Sequence, residues 1–234
     1  KIDNTNLSVD KILYWEYEEI NIDDWYWNNI NWIYVKSDIE NAKTVYFFHG
    51  NSGPIYFFYN WINYINKLWF NVMVYDYPWY WKSDWLPYKN NVSNFSQRFF
   101  DYLKKEKNIK NEDLIVWWYS IWTAVWVDFA SNNKFDKILL FAPLSSRYDA
   151  SKHYLWFAAQ KLFFIKDSYD TYKIVKNFKR DALIIHWNKD WIIPFWHWKK
   201  VFDNYLWDKY FIEIDNQWHN NIIENNWEYL LWFI

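Results

Sequence analysis

Cysteine is absent from the 234 residues, so disulfides, thiol catalysis and cysteine-ligated zinc are excluded, while the compartment stays open. Glycine is almost missing as well: only Gly50 and Gly53 occur, where average usage gives roughly 16. Methionine occurs once, at Met73, which leads to the expectation that translation begins upstream of Lys1. A membrane anchor, if the protein uses one, is expected in that preceding segment, and localisation is otherwise unknown. No charge sign dominates, because 26 Lys and Arg stand against 28 Asp and Glu, so a nucleic-acid partner is not expected. No stretch of 18 consecutive apolar residues exists, and the nearest candidate, residues 154–165, is broken by Gln160 and Lys161. A soluble body is expected.

What the chain has in abundance is apolar and aromatic: 52% hydrophobic residues, with 22 Trp, 21 Tyr and 19 Phe. That suffices for one domain over 1–234 with a substantial core. Short apolar, β-rich runs alternate with helical stretches, the pattern of an α/β fold with a mostly parallel sheet and helices on both faces. The strands are expected at 43–49, 71–77, 113–119, 137–141, 181–186 and 209–215, and helices at 54–68, 93–107, 121–131, 195–206 and 222–234. Ahead of them, 13–22 and 29–36 alternate around a polar turn and read as an N-terminal antiparallel hairpin at the sheet edge. The stretch 145–179 is too long for a plain connection and reads as a short cap insertion.

The chemistry concentrates where strands end. Trp118-Tyr119-Ser120-Ile121-Trp122 joins a strand to a helix and has the shape of the nucleophile elbow G-x-S-x-G, with tryptophan at both glycine positions. His49-Gly50-Asn51-Ser52-Gly53 follows an earlier strand, and a run from Asp76 to Ser83 follows the next. Later come His186-Trp187-Asn188-Lys189-Asp190-Trp191-Ile192-Ile193-Pro194 and Asn216-Gln217-Trp218-His219-Asn220.

These five segments, in this order, resemble the α/β-hydrolase-fold serine hydrolases, where they read HGN-x-G, D-x-(R/P)-G-x-G-x-S, G-x-S-x-G, HG-x-x-D-x-x-(V/I)-P and GH. The resemblance covers nearly the whole chain. It looks most like the compact depalmitoylase-like branch, whose relatives often go under the name of serine aminopeptidase domains. It implies an acyl-transferring hydrolase with the fold's chain order of nucleophile, acid and base at Ser120, Asp190 and His219. A serine hydroxyl needs an adjacent base, which His219 would supply as neutral imidazole, with Asp190 holding its tautomer. The oxyanion would be met by backbone N–H groups of Ile121 and Asn51. Asp215, four residues before His219, is the rival acid. His49 and His186 read as loop-shaping, His153 and His197 as structural, and Ser83 as a turn residue.

Departures from the family are systematic. Trp79, Trp81, Trp118, Trp122, Trp187, Trp191 and Trp218 stand where the family has, or commonly has, glycine. UGA is read as a stop, as Trp or as Gly in different genetic codes, so Gly-coding UGA translated as Trp accounts for the pattern. The expected partner is a small acyl ester, a thioester or an acylated protein, with no cofactor and no metal. A serine peptidase of the same fold is the alternative within the class. If the tryptophans are real and crowd the elbow, a non-catalytic binding or scaffold protein is the alternative of another class.

Overall fold

The computed structural model describes residues 16–23, 29–51, 53–77, 89–146, 148–150, 170–219 and 227–234. Its frame is one eight-stranded sheet: β1 (Tyr17–Asp23), β2 (Asn29–Val35), β3 (Thr44–Phe48), β4 (Asn71–Tyr75), β5 (Leu114–Tyr119), β6 (Lys137–Phe141), β7 (Ala182–Trp187) and β8 (Lys209–Ile214). The spatial order is β1-β2-β4-β3-β5-β6-β7-β8. β1 pairs antiparallel with β2, and β2 antiparallel with β4; every other neighbouring pair is parallel. The mostly parallel sheet with an antiparallel hairpin at one edge is therefore as the sequence pattern implies.

Six α-helices are described: α1 (Tyr59–Lys67), α2 (Lys89–Lys105), α3 (Thr123–Asn132), α4 (Thr171–Ile174), α5 (Trp196–Asn204) and α6 (Trp227–Phe233). Their spacing decides which face of the sheet they cover. Trp61, Ile62 and Ile65 of α1 form one apolar stripe, and Phe95, Phe99 and Leu103 of α2 recur every four residues. The α1 stripe packs with Val45, Phe47 and Ile115, whereas the α2 stripe packs with Tyr46, Phe48 and Val116. Helices thus lie on both faces. β5 shows why the sheet is stable between them: Leu114, Val116 and Trp118 enter one core, Ile115, Trp117 and Tyr119 the other. All six are buried, as a parallel strand covered on both sides requires.

Several boundaries shift. The helix expected at 54–68 opens as a 3-10 turn, Ile55–Phe58, before α1, and α2 starts four residues earlier than its pattern suggests. The hairpin turn, Trp79, Trp81, Ser83, His153 and residues 151–169, the middle of the expected cap insertion, lie outside the described residues. The described residues on either side of 151–169 form two stems, and α5 holds both. The Lys200 ammonium is 2.6 Å from an Asp149 carboxylate oxygen on the first stem and 4.0 Å from the Tyr172 ring centroid on the second. Ser145 accepts the Tyr172 backbone N–H at its carbonyl, 3.2 Å.

Candidate active site

Chain order and sheet order disagree at one place. From β3 the chain goes to β4 on one side and then returns to β5 on the other, so the connections leaving β3 and β5 part in opposite directions. A crevice at the carboxyl ends of such strands is where open α/β sheets hold ligands. His49-Gly50-Asn51 and Ser120 sit there.

Ser120 follows β5 directly and has φ of +65°, a left-handed conformation for a residue with a β-carbon. Such strain persists only where neighbours over-determine it. Here the Thr123 hydroxyl donates to the Ser120 carbonyl at 2.8 Å and accepts the Leu144 backbone N–H at 3.0 Å, clamping the turn to the end of β6. Across the crevice, Gly50 meets β5: a β-carbon there would lie 2.9 Å from the Tyr119 ring, so only glycine lets the two loops approach. Asp76, after β4, accepts the Ile55 N–H at 2.7 Å and ties the far end of the Asn51 loop to the sheet.

The candidate residues from three strand ends converge. Ser120 Oγ is 2.7 Å from His219 Nε2, and His219 Nδ1 is 2.6 Å from Asp190 Oδ2. All three are buried. Asp190 Oδ1 accepts the backbone N–H groups of Ile192 (2.9 Å) and Ile193 (2.8 Å). Burial alone would raise the Asp190 carboxyl, but the His186 and His219 imidazoles outweigh it and hold the group down at about 2. It is ionised throughout the neutral range. The His219 ring lies along the Tyr119 ring, centroids 5.3 Å apart, and the Tyr119 hydroxyl donates to the His219 carbonyl.

Asn51 and Ile121 are both half-buried on the flanks of this group, Asn51 on the β3 loop and Ile121 in the turn that Ser120 opens. The rival acid lies elsewhere: Asp215 is exposed and accepts the Asn188 side-chain amide at 2.6 Å. His49 is buried with its ring nitrogens 2.9 Å from Gly50 O and 3.1 Å from Tyr75 O, and burial lowers its pKa to about 4. His197 lies on α5, its Nδ1 2.8 Å from the Ser145 hydroxyl.

The tryptophans separate into two groups. Trp118 and Trp187 are fully buried in opposite cores, and Trp122 packs on Tyr77 with centroids 4.4 Å apart. Trp118 therefore points into the core under the elbow. Trp191 and Trp218 are exposed, 61% and 55%. One position escaped sequence reasoning: Trp69, just past the end of α1, has φ of +70°, where a helix commonly ends on glycine. Its signal was the Leu-Trp-Phe run between a helix and a strand.

No protein-family model matches the chain. An esterase from Pyrococcus furiosus superimposes with a TM-score of 0.78 over 97% of this chain and 92% of the esterase, at 13% identity. An esterase from Exiguobacterium antarcticum gives 0.69 over 92% of this chain and 98% of that one, also at 13% identity. The chain has the α/β-hydrolase fold. Human alpha/beta hydrolase domain-containing protein 17B is 26% identical over 179 residues, covering 75% of this chain and 60% of the human protein. The chain thus spans less than two thirds of that relative. Among the described residues of this α/β-hydrolase fold, no group of three or more His, Asp or Glu could hold a metal ion, and no helix is long and apolar enough to cross a membrane.

Proposed function

We propose that the chain is a serine hydrolase that cleaves a carboxylic ester or thioester through an acyl-enzyme. The observation that carries this reading is the Ser120–His219–Asp190 relay, two short hydrogen bonds joining residues from three separate strand ends. Ser120 Oγ attacks the carbonyl carbon as its proton passes to His219 Nε2, and Asp190 stabilises the imidazolium. The carbonyl oxygen gathers negative charge and is met by the N–H groups of Ile121 and Asn51. Collapse breaks the bond to the leaving alcohol or thiol, which takes the proton from His219. Water, deprotonated by the same imidazole, then attacks the acyl-serine and regenerates the free hydroxyl. The esterase names of the structural relatives are in keeping with this chemistry.

Ester or thioester cleavage is favoured over an aminopeptidase activity by the carboxylates near the cap. Asp149 would be raised by burial, but Lys200, Ser145 and Ser146 pull it below its ordinary value, so its charge is already matched. Asp170 pairs with Lys173. Neither of these described carboxylates is left to receive a substrate ammonium; Asp167, the third in this stretch, lies outside the described residues. An acylated protein or small acyl ester of the depalmitoylase-like branch is the substrate class this reading adopts. Labelling by a fluorophosphonate probe tests it: the adduct should map to Ser120 and disappear in Ser120→Ala, and labelling that persists in that variant refutes the assignment.

The glycine reading of the tryptophans belongs to the same proposal. It is supported by the left-handed Trp69 and by the indole N–H groups of Trp118 and Trp187, which are buried without hydrogen-bond partners. Trp32, Trp117 and Trp198 share that orphaned indole, so the feature reports crowding and does not single out recoded positions by itself. The gene sequence decides: UGA codons at positions 69, 79, 81, 118, 122, 187, 191 and 218 support recoding, and UGG codons there defeat it.

A further inference from the structure

The turn that carries Asp190 folds back over a second imidazole. His186, next to last in β7, is completely buried, with Nε2 2.8 Å from the Ile193 carbonyl and 3.4 Å from Asp190 Oδ2. Its Nδ1 is buried and has no hydrogen-bond partner. A carbonyl oxygen can only accept, so the proton sits on Nε2; Ile193 O accepts it at 2.8 Å, and Asp190 Oδ2 stands 3.4 Å from the same nitrogen. A purely space-filling ring would serve better as an apolar one, because the imidazole leaves a bare nitrogen in the core. The compensating feature is the N–H on the other side.

Asp190 is thereby approached from every side. Oδ1 holds two backbone N–H groups, and Oδ2 lies between the His219 and His186 rings. The titratable side chains facing this carboxylate are His219 after β8, His186 on β7 and Tyr119 at the end of β5. Resting on the serine-hydrolase reading above, we propose that His186 is a positioning residue for the acid: its Nε2–H shares Oδ2 with His219, fixes the rotation of the carboxylate and tempers the charge that His219 feels.

A consequence in pH follows from the sign of that interaction. A donor on Oδ2 draws off negative charge, so it weakens the carboxylate's hold on protonated His219. Removing the donor strengthens the hold and moves the acidic limb of kcat/KM to higher pH. A role in packing alone lowers stability and leaves the limb in place.

The test has two arms. In the first, kcat/KM for p-nitrophenyl butyrate is measured against pH for wild type, His186→Phe and His186→Gln. The Phe variant should lose about tenfold or more in kcat/KM, within what removing one supporting partner of a site costs, and its acidic limb should move up by several tenths of a unit. Gln, whose amide N–H can reach Oδ2, should bring the limb back. In the second arm, wild type and Asp190→Asn are labelled with ¹⁵N-histidine and the imidazole signals are recorded. His186 should be the Nε2–H tautomer and should shift in Asp190→Asn. An Nδ1–H tautomer, a signal that does not respond to Asp190→Asn, or a Phe variant with the wild-type limb overturns the proposal. This arm uses a chain with His186 intact, so a Phe variant that fails to fold leaves the question decided. Wild type that neither turns over the ester nor takes the fluorophosphonate sinks the hydrolase reading itself, a different outcome from an unmoved limb in an active enzyme.

Discussion

Replacing Trp69 by glycine should stabilise this protein, against the usual rule that removing a large aromatic does harm. Trp69 follows the C-cap of α1, where its N–H closes the helix by donating to Asn66 O at 2.9 Å, and this geometry requires its φ of +70°. For a residue with a β-carbon the left-handed region costs about 1–2 kcal/mol. Glycine removes that strain but makes the unfolded chain more flexible, which takes back about 0.4–1 kcal/mol. Trp69 is more than half exposed, at 55%, so little core burial is lost with the ring. The balance is a gain of about 0.5–1 kcal/mol, or a rise in Tm of roughly 1–4 °C for a domain of this size. Trp69→Ala is the internal control, since it removes the ring and keeps the strain. Calorimetry and urea unfolding of wild type and both variants give the comparison. A Trp69→Gly protein no more stable than Trp69→Ala would show that the positive φ stores no strain, and the argument for glycine at this position would collapse.

Asp190→Asn should lower turnover of an activated ester by roughly 10⁴, the penalty for a misoriented imidazole in such a triad, whereas Asp215→Asn should leave kcat/KM near wild type. Asp190 also titrates as a stability group. Its folded value of about 2 lies below the ordinary 3.9, so its contribution is complete above about pH 4 and is lost as pH falls towards 2. Urea unfolding across that window should show the gap between wild type and Asp190→Asn shrinking, by an amount on the order of 2 kcal/mol; a constant gap contradicts the assignment. Thr123→Val removes the hydroxyl that clamps the elbow and orphans the Leu144 N–H, so a loss of about 1–3 kcal/mol is expected by denaturant unfolding, with Thr123→Ser close to wild type. Lys200→Met breaks the contact to both stems flanking 151–169 and removes the ammonium from Asp149; limited proteolysis should then cut more readily within 145–179, and an unchanged cleavage rate argues against the clasp.

The class of fold was legible because the central parallel strands are buried on both faces and must therefore be short, continuous apolar runs such as Thr44–Phe48 or Leu114–Tyr119. The candidate site entered through motif resemblance: Ser120 sits in the elbow-like Trp-Tyr-Ser-Ile-Trp, and Asp190 and His219 lie in segments that resemble the family's later strand-end motifs. Sheet order was not legible, since no residue in β3 announces that β4 lies on one side of it and β5 on the other. Nor was the choice between Asp190 and Asp215 open to spacing alone; in the structure Asn188 engages Asp215, while Asp190 lies 2.6 Å from His219. Trp69 was missed because the usual mark of a left-handed helix end, glycine, is absent from the letters and survives only as a backbone angle. From sequence His186 reads as loop-shaping because it precedes Trp187, a turn position where the resembled family has glycine. Only the turn after β7 reverses the chain and brings the two side chains within 3.4 Å, and tertiary folding alone creates that proximity.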